Sequence, residues 1–274
     1  MGIVNLLGTL FRIAPGFKGL LWRTWYQFLA RTYPRTDWTF MNYGYAPVDN
    51  ASEGLELQSV DGPNQYCIQL YHHIASGVDL TGLDVVEVGS GRGGGADYIK
   101  RYLKPKTMVG IDLSENAIAF CRRRFTHDAQ LTFQVGNAEA LPCDDESVDV
   151  VINVESSHCY PSMVNFLTEV KRVLRRGGYF LFTDFRSSNE MEDLIKTLDQ
   201  SGLIRVQQID INPNILRAME LDHARKLTLI QQAIHRPLQP LFLEFAGIQG
   251  SSIYQKFQNR ETVYYSFVLQ KSSV

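Results

Sequence analysis

Val85-Val86-Glu87-Val88-Gly89-Ser90-Gly91-Arg92-Gly93-Gly94-Gly95 is a short β-branched run that breaks into glycines and continues as an amphipathic helix. This order predicts a buried strand, a tight turn and a helix start. Glycines let the backbone approach a ligand closely, and the helix N-terminus offers N–H donors with no intrahelical partner. The turn therefore suits a nucleotide-like group. Gly89, Gly91 and Gly94 also satisfy GxGxxG, so the turn alone leaves open a dinucleotide-binding dehydrogenase.

Outward from this turn, apolar strand-like runs alternate with helical stretches. The strands are expected at Asp84 to Val88, Met108 to Asp112, Leu131 to Val135, Val148 to Val154 and Tyr179 to Asp184. Helices are expected to begin near Gly94, Glu115 and Ser162. Such alternation predicts an α/β fold, a Rossmann-like, doubly wound, mostly parallel seven-stranded sheet with right-handed crossovers. A helix over Glu190 to Ser201 and strands over Ile204 to Ile211 and Val263 to Leu269 complete it. Between the last two strands, Asn212 reads as an N-cap with Pro213 at the first helical position, and Leu216, Met219, Leu227, Ile230 and Ile234 share one face. This predicts a helical insertion over the sheet. The divisions expected are 1–80 as a helical lid, 81–211 as the cofactor-binding core, 212–262 as a cap and 263–274 as the last strand.

The first 36 residues carry Arg12, Lys18, Arg23, Arg31 and Arg35 and no acid, with apolar residues at helical spacing. They predict two amphipathic N-terminal helices divided at Pro15-Gly16, able to pack on the domain, close the site, meet a second subunit or lie on a membrane surface. No basic residue precedes the first apolar stretch, which argues against a signal peptide, and Leu6 stands where a myristoylation signal needs Ser or Thr. Charges and Pro15 interrupt the apolar runs, so no bilayer span is expected. Of the 274 residues 45% are hydrophobic and 20% charged, with a net charge of -2. That balance fits a globular protein and excludes the basic excess of a nucleic-acid binder. Cys67, Cys121, Cys143 and Cys159 lie far apart with no zinc-type pairing, which suits a reducing, cytoplasmic setting.

Glu87 followed by Gly89, Gly91 and Gly93 gives ExGxGxG, a pattern that resembles class I S-adenosylmethionine-dependent methyltransferases. Asp112 ends the next strand, where a carboxylate can accept from ribose hydroxyls. Gly136-Asn137-Ala138-Glu139-Ala140-Leu141-Pro142 and Asp149-Val150-Val151 resemble the adenine loop and fourth strand of those enzymes, and Glu169 to Tyr179 their next helix, turn and strand. The resemblance implies S-adenosylmethionine as cofactor, held by Tyr43, Tyr45, Glu87, Gly89, Ser90, Gly91, Gly93, Asp112, Leu113, Asn137, Ala138 and Asn153. Tyr43 and Tyr45 belong to Phe40-Met41-Asn42-Tyr43-Gly44-Tyr45, similar to an aromatic element placed across the methionine end, where ring faces suit a sulfonium. Asn137 replaces the usual Asp of the loop, and its amide oxygen can still accept from the adenine amino group.

Asn153-Val154-Glu155-Ser156-Ser157-His158-Cys159-Tyr160-Pro161 follows the fourth strand, at the carboxyl end where open α/β sheets bind ligands. An acceptor hydroxyl must lose its proton as it attacks a methyl carbon, so His158 is the expected general base, oriented by Glu155. A capping or backbone-bonding role is the competing reading of His158. Cys159 reads as a small buried apolar residue, His72 and His73 as members of the preceding helix, and no residue set has metal-ligand spacing.

Together with Asp61-Gly62-Pro63-Asn64, Leu70-Tyr71-His72 and Glu244-Phe245-Ala246-Gly247-Ile248-Gln249-Gly250, these motifs resemble the phthiotriol/phenolphthiotriol dimycocerosates methyltransferase family from about residue 38 to the C-terminus. The resemblance implies O-methylation of a hydroxyl on an apolar lipid, polyketide or other secondary metabolite. Three alternatives stand beside it: an N- or C-methyltransferase acting on an indole, sterol or similar ring, a nicotinamide-dependent oxidoreductase, and a cofactor-binding regulatory subunit. The expected partners are a small apolar acceptor, no nucleic acid, a peripheral membrane contact through residues 1–36, and a second copy of the chain.

Overall fold

In the computed structural model, residues 38–49 and 55–274 are described. The expected N-terminal helices lie outside the described residues. The elements run α1 (Gln65–Ala75), β1 (Asp84–Val88), α2 (Gly94–Leu103), β2 (Thr107–Asp112), α3 (Glu115–Arg124), β3 (Leu131–Val135), β4 (Val148–Val154), α4 (Met163–Val173), β5 (Leu174–Ser187), α5 (Ser188–Gln200), β6 (Ile204–Asp210), α6 (Asn212–Leu221), α7 (His223–Ala233), α8 (Gln239–Phe245), α9 (Ser252–Gln258) and β7 (Thr262–Gln270). The strands form one seven-stranded sheet in the order β3-β2-β1-β4-β5-β7-β6. β1 to β5 are parallel, and β7 runs antiparallel between β5 and β6. The order reverses beside β1 and β4, so their carboxyl ends flank the crevice where such sheets bind ligands.

Alternation along the strands builds a core on each face. Val85 of β1 and Val150 and Ile152 of β4 pack with Ile68 of α1, Ile99 of α2, Ile215 of α6 and Phe257 of α9. Val86, Val88 and Val151 face the other way, toward Phe166 of α4 and Leu194 of α5. Phe166, Phe180, Phe182 and Phe267 are wholly buried there, each contributing about 1.5–3 kcal/mol of hydrophobic stabilisation. Ser114, Ser162 and Ser187 cap α3, α4 and α5, the last with a reciprocal Glu190 capping box.

Two local expectations are corrected. β5 begins at Leu174 instead of Tyr179, because Leu174 already pairs with Val148 before a register shift to Val150↔Tyr179. Asn212 is not a cap: Ile211 holds that position, and the buried Asn212 is the first helical residue, its Nδ2 donating to Phe257 O at 3.0 Å. The expected apolar stripe of the insertion is divided at Asp222 between α6 and α7. Met219, Ile230 and Ile234 are buried, whereas Leu216 and Leu227 are only partly so.

Candidate functional site

At the end of β1, Gly89 adopts φ +77, and an added Cβ would lie 2.3 Å from Ser156 Oγ and 2.8 Å from Tyr160 OH. Only a residue without a side chain fits that approach. Gly95 answers a different need: its missing Cβ makes room for the Tyr71 ring, 2.0 Å away. Gly93 likewise lies beneath Phe125 and Phe133 at the start of α2, so both are packing glycines. Asp112 Oδ2 accepts from Gly91 N and Oδ1 from Ser114 N, each at 2.8 Å. An ionised carboxylate has about four acceptor positions, so Asp112 keeps capacity for ligand hydroxyls. Beside it Leu113 exposes 43% of its surface, an apolar platform at the rim.

Glu87 lies deeper. It has no accessible surface and accepts from Tyr71 OH at 2.7 Å. Burial pushes its carboxyl up to about 8, against hydrogen bonds from Tyr71 and the Ala96 N–H and with help from the Asp112 charge. It joins α1 to the helix behind the glycine turn and lies under the loop. Ser90 Oγ and Asn153 Oδ1 are buried and have no hydrogen-bond partner among the described residues. Asn153 Nδ2 donates to Val88 O at 2.8 Å, Ser156 Oγ at 2.7 Å and Tyr160 OH at 3.0 Å, tying β4 to the end of β1. Asn137 is exposed, and its Oδ1 accepts from Glu139 N at 3.0 Å, shaping the loop in which the neighbouring Ala138 is buried. A positive-φ glycine turn, a strand-end carboxylate, an apolar rim and orphaned polar atoms fit the nucleoside and amino-acid parts of the cofactor that the sequence implies.

The other half of the site lies at the ends of β4 and β5. His158 is not oriented by Glu155 as expected. Its Nδ1 meets Asp184 Oδ1 at 2.9 Å, and its backbone N–H donates to Asp184 Oδ2 at 3.0 Å. Glu155 faces elsewhere because its backbone is left-handed, with φ +46, and its Oε1 accepts from Tyr43 N and Tyr264 OH, both at 2.9 Å. Asp184 is wholly buried and also accepts from Ser157 Oγ at 2.7 Å and pairs with Arg186 at 3.1 Å. Burial opposes its ionisation, but the Arg186 and His158 charges hold it well below the usual carboxylate range. Burial alone would lower His158; the Asp184 carboxylate overrides it and pushes the imidazole up to about 10. Burial raises Glu155 to about 7 against its two hydrogen bonds.

Tyr43 joins this cluster to the insertion. Its ring meets Phe185 and Phe257 edge-on, each at 5.5 Å between centroids, and Phe185 lies 4.5 Å from the His158 ring. Tyr45 points away from these groups and stacks on His73 at 4.5 Å. His72 and His73 lie on α1 as expected, paired with Tyr98 OH at 2.8 Å and Ser266 Oγ at 3.0 Å. Cys159 is partly exposed, unlike the buried residue its type suggests. Beyond Tyr43 opens a cavity connected to solvent, with Trp38, Phe40, Ile230 and Phe242 among its walls. Asn42 lines it as well; its Nδ2 donates to Cys67 O at 3.2 Å, while its buried Oδ1 has no partner among the described residues.

Sequence reasoning missed Asp184, Tyr264 and Asn42. Asp184 had a signal, since the sequence pattern sets it at the close of the fifth apolar run as Asp112 closes the second, although β5 itself continues to Ser187. Tyr264 is distant in sequence and reaches Glu155 only because β7 inserts antiparallel beside β5.

Residues 86–182 match a family described as "Methyltransferase domain". The chain is 38% identical over 251 residues to phthiotriol/phenolphthiotriol dimycocerosates methyltransferase of Mycobacterium tuberculosis, covering 92% of each. It is 39% identical over 247 residues to the fatty-acid O-methyltransferase of Mycolicibacterium smegmatis, covering 89% of this chain and 88% of the relative. Among solved structures, geranyl diphosphate C-methyltransferase from Streptomyces coelicolor A3(2) superposes with a TM-score of 0.61 at 18% identity, covering 90% of this chain and 98% of that one. At that identity the structural likeness speaks for the fold.

Proposed function

We infer the chemistry from kinship: the chain belongs to the phthiotriol/phenolphthiotriol dimycocerosates methyltransferase family and is an S-adenosylmethionine-dependent methyltransferase. We assign it the O-methylation of a hydroxyl on an apolar lipid, polyketide or similar secondary metabolite. The observation that carries this reading is the His158–Asp184 pair, linked through Phe185 and Tyr43 to a largely apolar cavity. When bound, S-adenosylmethionine supplies an electrophilic methyl group and a neutral thioether leaving group.

In this reading the Gly89–Gly93 backbone, Ser90, Asp112 and Leu113 hold the cofactor's amino-acid and ribose parts, and Asn137 and Ala138 border its base. Asn153, Ser156 and Tyr160 shape the reacting end, with the Tyr43 ring as its wall. Asp184 fixes the His158 ring through Nδ1, which directs Nε2 to take the acceptor's proton as its oxygen attacks. Glu155 acts as a positioning residue, holding Tyr43 and Tyr264 together. The cavity receives the acceptor's apolar body, and Asn42 Oδ1 supplies an acceptor for a hydroxyl proton. Residues 1–80 and 212–262 then act as lid and cap over the core at 81–211, with 263–274 closing its sheet. Cytoplasmic location, membrane contact through residues 1–36 and self-association belong to the same proposal. Among the described residues no helix is long and apolar enough to cross a membrane.

The test is incubation with methyl-labelled S-adenosylmethionine and a panel of hydroxylated long-chain lipids, with product mapping by mass spectrometry. Label on oxygen is expected. Label on carbon or nitrogen, or none while S-adenosylhomocysteine still binds, would overturn the reading.

A further inference from the structure

The cavity is not uniformly apolar. Arg225 and Lys226, adjacent on α7, line it together, and among the described residues no carboxylate does. Arg225 donates through Nε and Nη2 to Asp222 at 2.5 and 2.6 Å, and this one acid also lies 3.9 Å from Lys226 Nζ. Asp222 is 3% exposed and stands at the junction of α6 and α7. Two cations share one anion, which leaves a positive charge at the cavity wall. Among the described residues Lys226 Nζ otherwise donates to backbone carbonyls, Tyr43 O at 3.3 Å and Ala246 O at 3.4 Å.

The acids on neighbouring elements are engaged elsewhere. Glu244 of α8 is tied to Ser252 and to Ile253 N, and Glu155 lies across the Tyr43 backbone, bonded to Tyr43 N and Tyr264 OH. A lysine whose side chain is only 12% exposed, with two long carbonyl contacts and a shared carboxylate at 3.9 Å, is under-compensated, because a partly desolvated charge needs an opposite charge and short hydrogen bonds. Ile230, Phe242 and Trp38 continue the wall with apolar surface suited to a chain.

We propose that this cavity binds a long-chain amphiphile with a carboxylate end, the carboxylate seated against Lys226 and Arg225 and the chain along Ile230 and Phe242. The ligand is thus an acidic chain and not a neutral one. The inference rests on the preceding reading in taking the cavity for the acceptor site, and it adds charge to the acceptor's description. Lys226 and Arg225 are binding residues in it, with no part in proton transfer.

Equilibrium dialysis of the full chain against labelled laurate and dodecanol at pH 7 tests the proposal without methyl transfer. Laurate should bind about tenfold or more tightly than dodecanol, with the preference shrinking as salt rises. Lys226→Met should weaken laurate about tenfold and leave dodecanol nearly unchanged, while Lys226→Arg should retain the preference. Equal binding of the two by the unaltered protein, binding of neither, or a parallel loss in folded Lys226→Met would overturn it. If Lys226→Met does not fold, the comparison of the two ligands on the unaltered protein decides alone. Methyl transfer to hydroxylated lipids is scored separately. Transfer without a carboxylate preference sinks this inference and leaves the function standing; the preference without transfer supports the inference and sinks the function.

Discussion

The two halves of the site are built from different materials. The half beside β1 and β2 is mostly backbone: Gly89 at φ +77, the Gly91 N–H on Asp112, and a helix start, all within residues 87–112. The half beside β4, β5 and the insertion is made of side chains from distant parts of the chain, with Asn42, His158, Asp184, Lys226 and Tyr264 converging around Tyr43 and Phe185. A backbone-built site depends on conformation and should fail in cofactor binding when a Cβ is added. A side-chain-built site should fail in turnover or acceptor choice while the cofactor still binds.

The largest effect is expected at the His158–Asp184 pair. His158→Ala should lower kcat about a hundredfold or more and leave S-adenosylhomocysteine affinity nearly unchanged. Asp184→Asn should approach the same loss. Because Asp184 pushes His158 from 6.5 up to about 10, the imidazole is protonated at neutral pH, and kcat/KM should climb with pH toward about 10. The stability sign runs the other way. A raised imidazole contributes stability fully below 6.5 and loses it as pH rises through about 10, so the protein should grow less heat-stable as its turnover improves. A flat rate profile between pH 6 and 9 with an inactive His158→Ala would make His158 a positioning residue.

Gly89→Ala should act on the other half. A left-handed alanine costs about 1–2 kcal/mol, and its Cβ would displace Ser156 from the cluster with Asn153 and Tyr160. We expect S-adenosylhomocysteine affinity to fall about tenfold or more, with kcat at saturation much less affected. Gly82→Ala separates strain from collision, since Gly82 has φ +75 with nothing within 4 Å of an added Cβ. It should lower the melting temperature and leave cofactor affinity alone. Equal affinity losses in the two variants would erase the distinction between the halves.

The same contrast explains what could be read from the chain. β3 and β4, the glycine turn and Asp112 were legible because each is specified within a few consecutive residues: apolar alternation, glycine, then a strand-end acid. His158 was legible as a residue at a strand end, but its partner was not. The nearer acid, Glu155, was the natural choice by sequence distance, yet its positive φ turns it toward Tyr43, and the parallel pairing of β4 with β5 brings Asp184 to the imidazole instead. Asn212 misled for a related reason: residue type and the following proline suit a cap, but burial against Phe257 gives the side chain a different hydrogen bond. Sequence distance predicts local conformation well and side-chain partnership across a sheet poorly.

The smallest expected effect tests whether Glu87 belongs to the cofactor half as a ligand or as its support. Its carboxyl is raised from 4.5 to about 8 by burial, so between those values the folded protein binds more protons than the unfolded chain. Stability from this position therefore falls as pH rises through that window. Glutamine keeps an oxygen for the Tyr71 hydroxyl and removes the ionisation. Glu87→Gln should match the unaltered protein near pH 5 and melt a few degrees higher at pH 9. Glu155 and His158 also lose stability with rising pH, so the informative quantity is the difference between variant and unaltered protein, in which those shared contributions cancel. S-adenosylhomocysteine affinity should hold within about threefold, as expected of a side chain with no accessible surface. A large affinity loss with unchanged melting would instead make the ionised carboxylate part of the cofactor site, and the backbone-built half would then depend on a side-chain charge at its base.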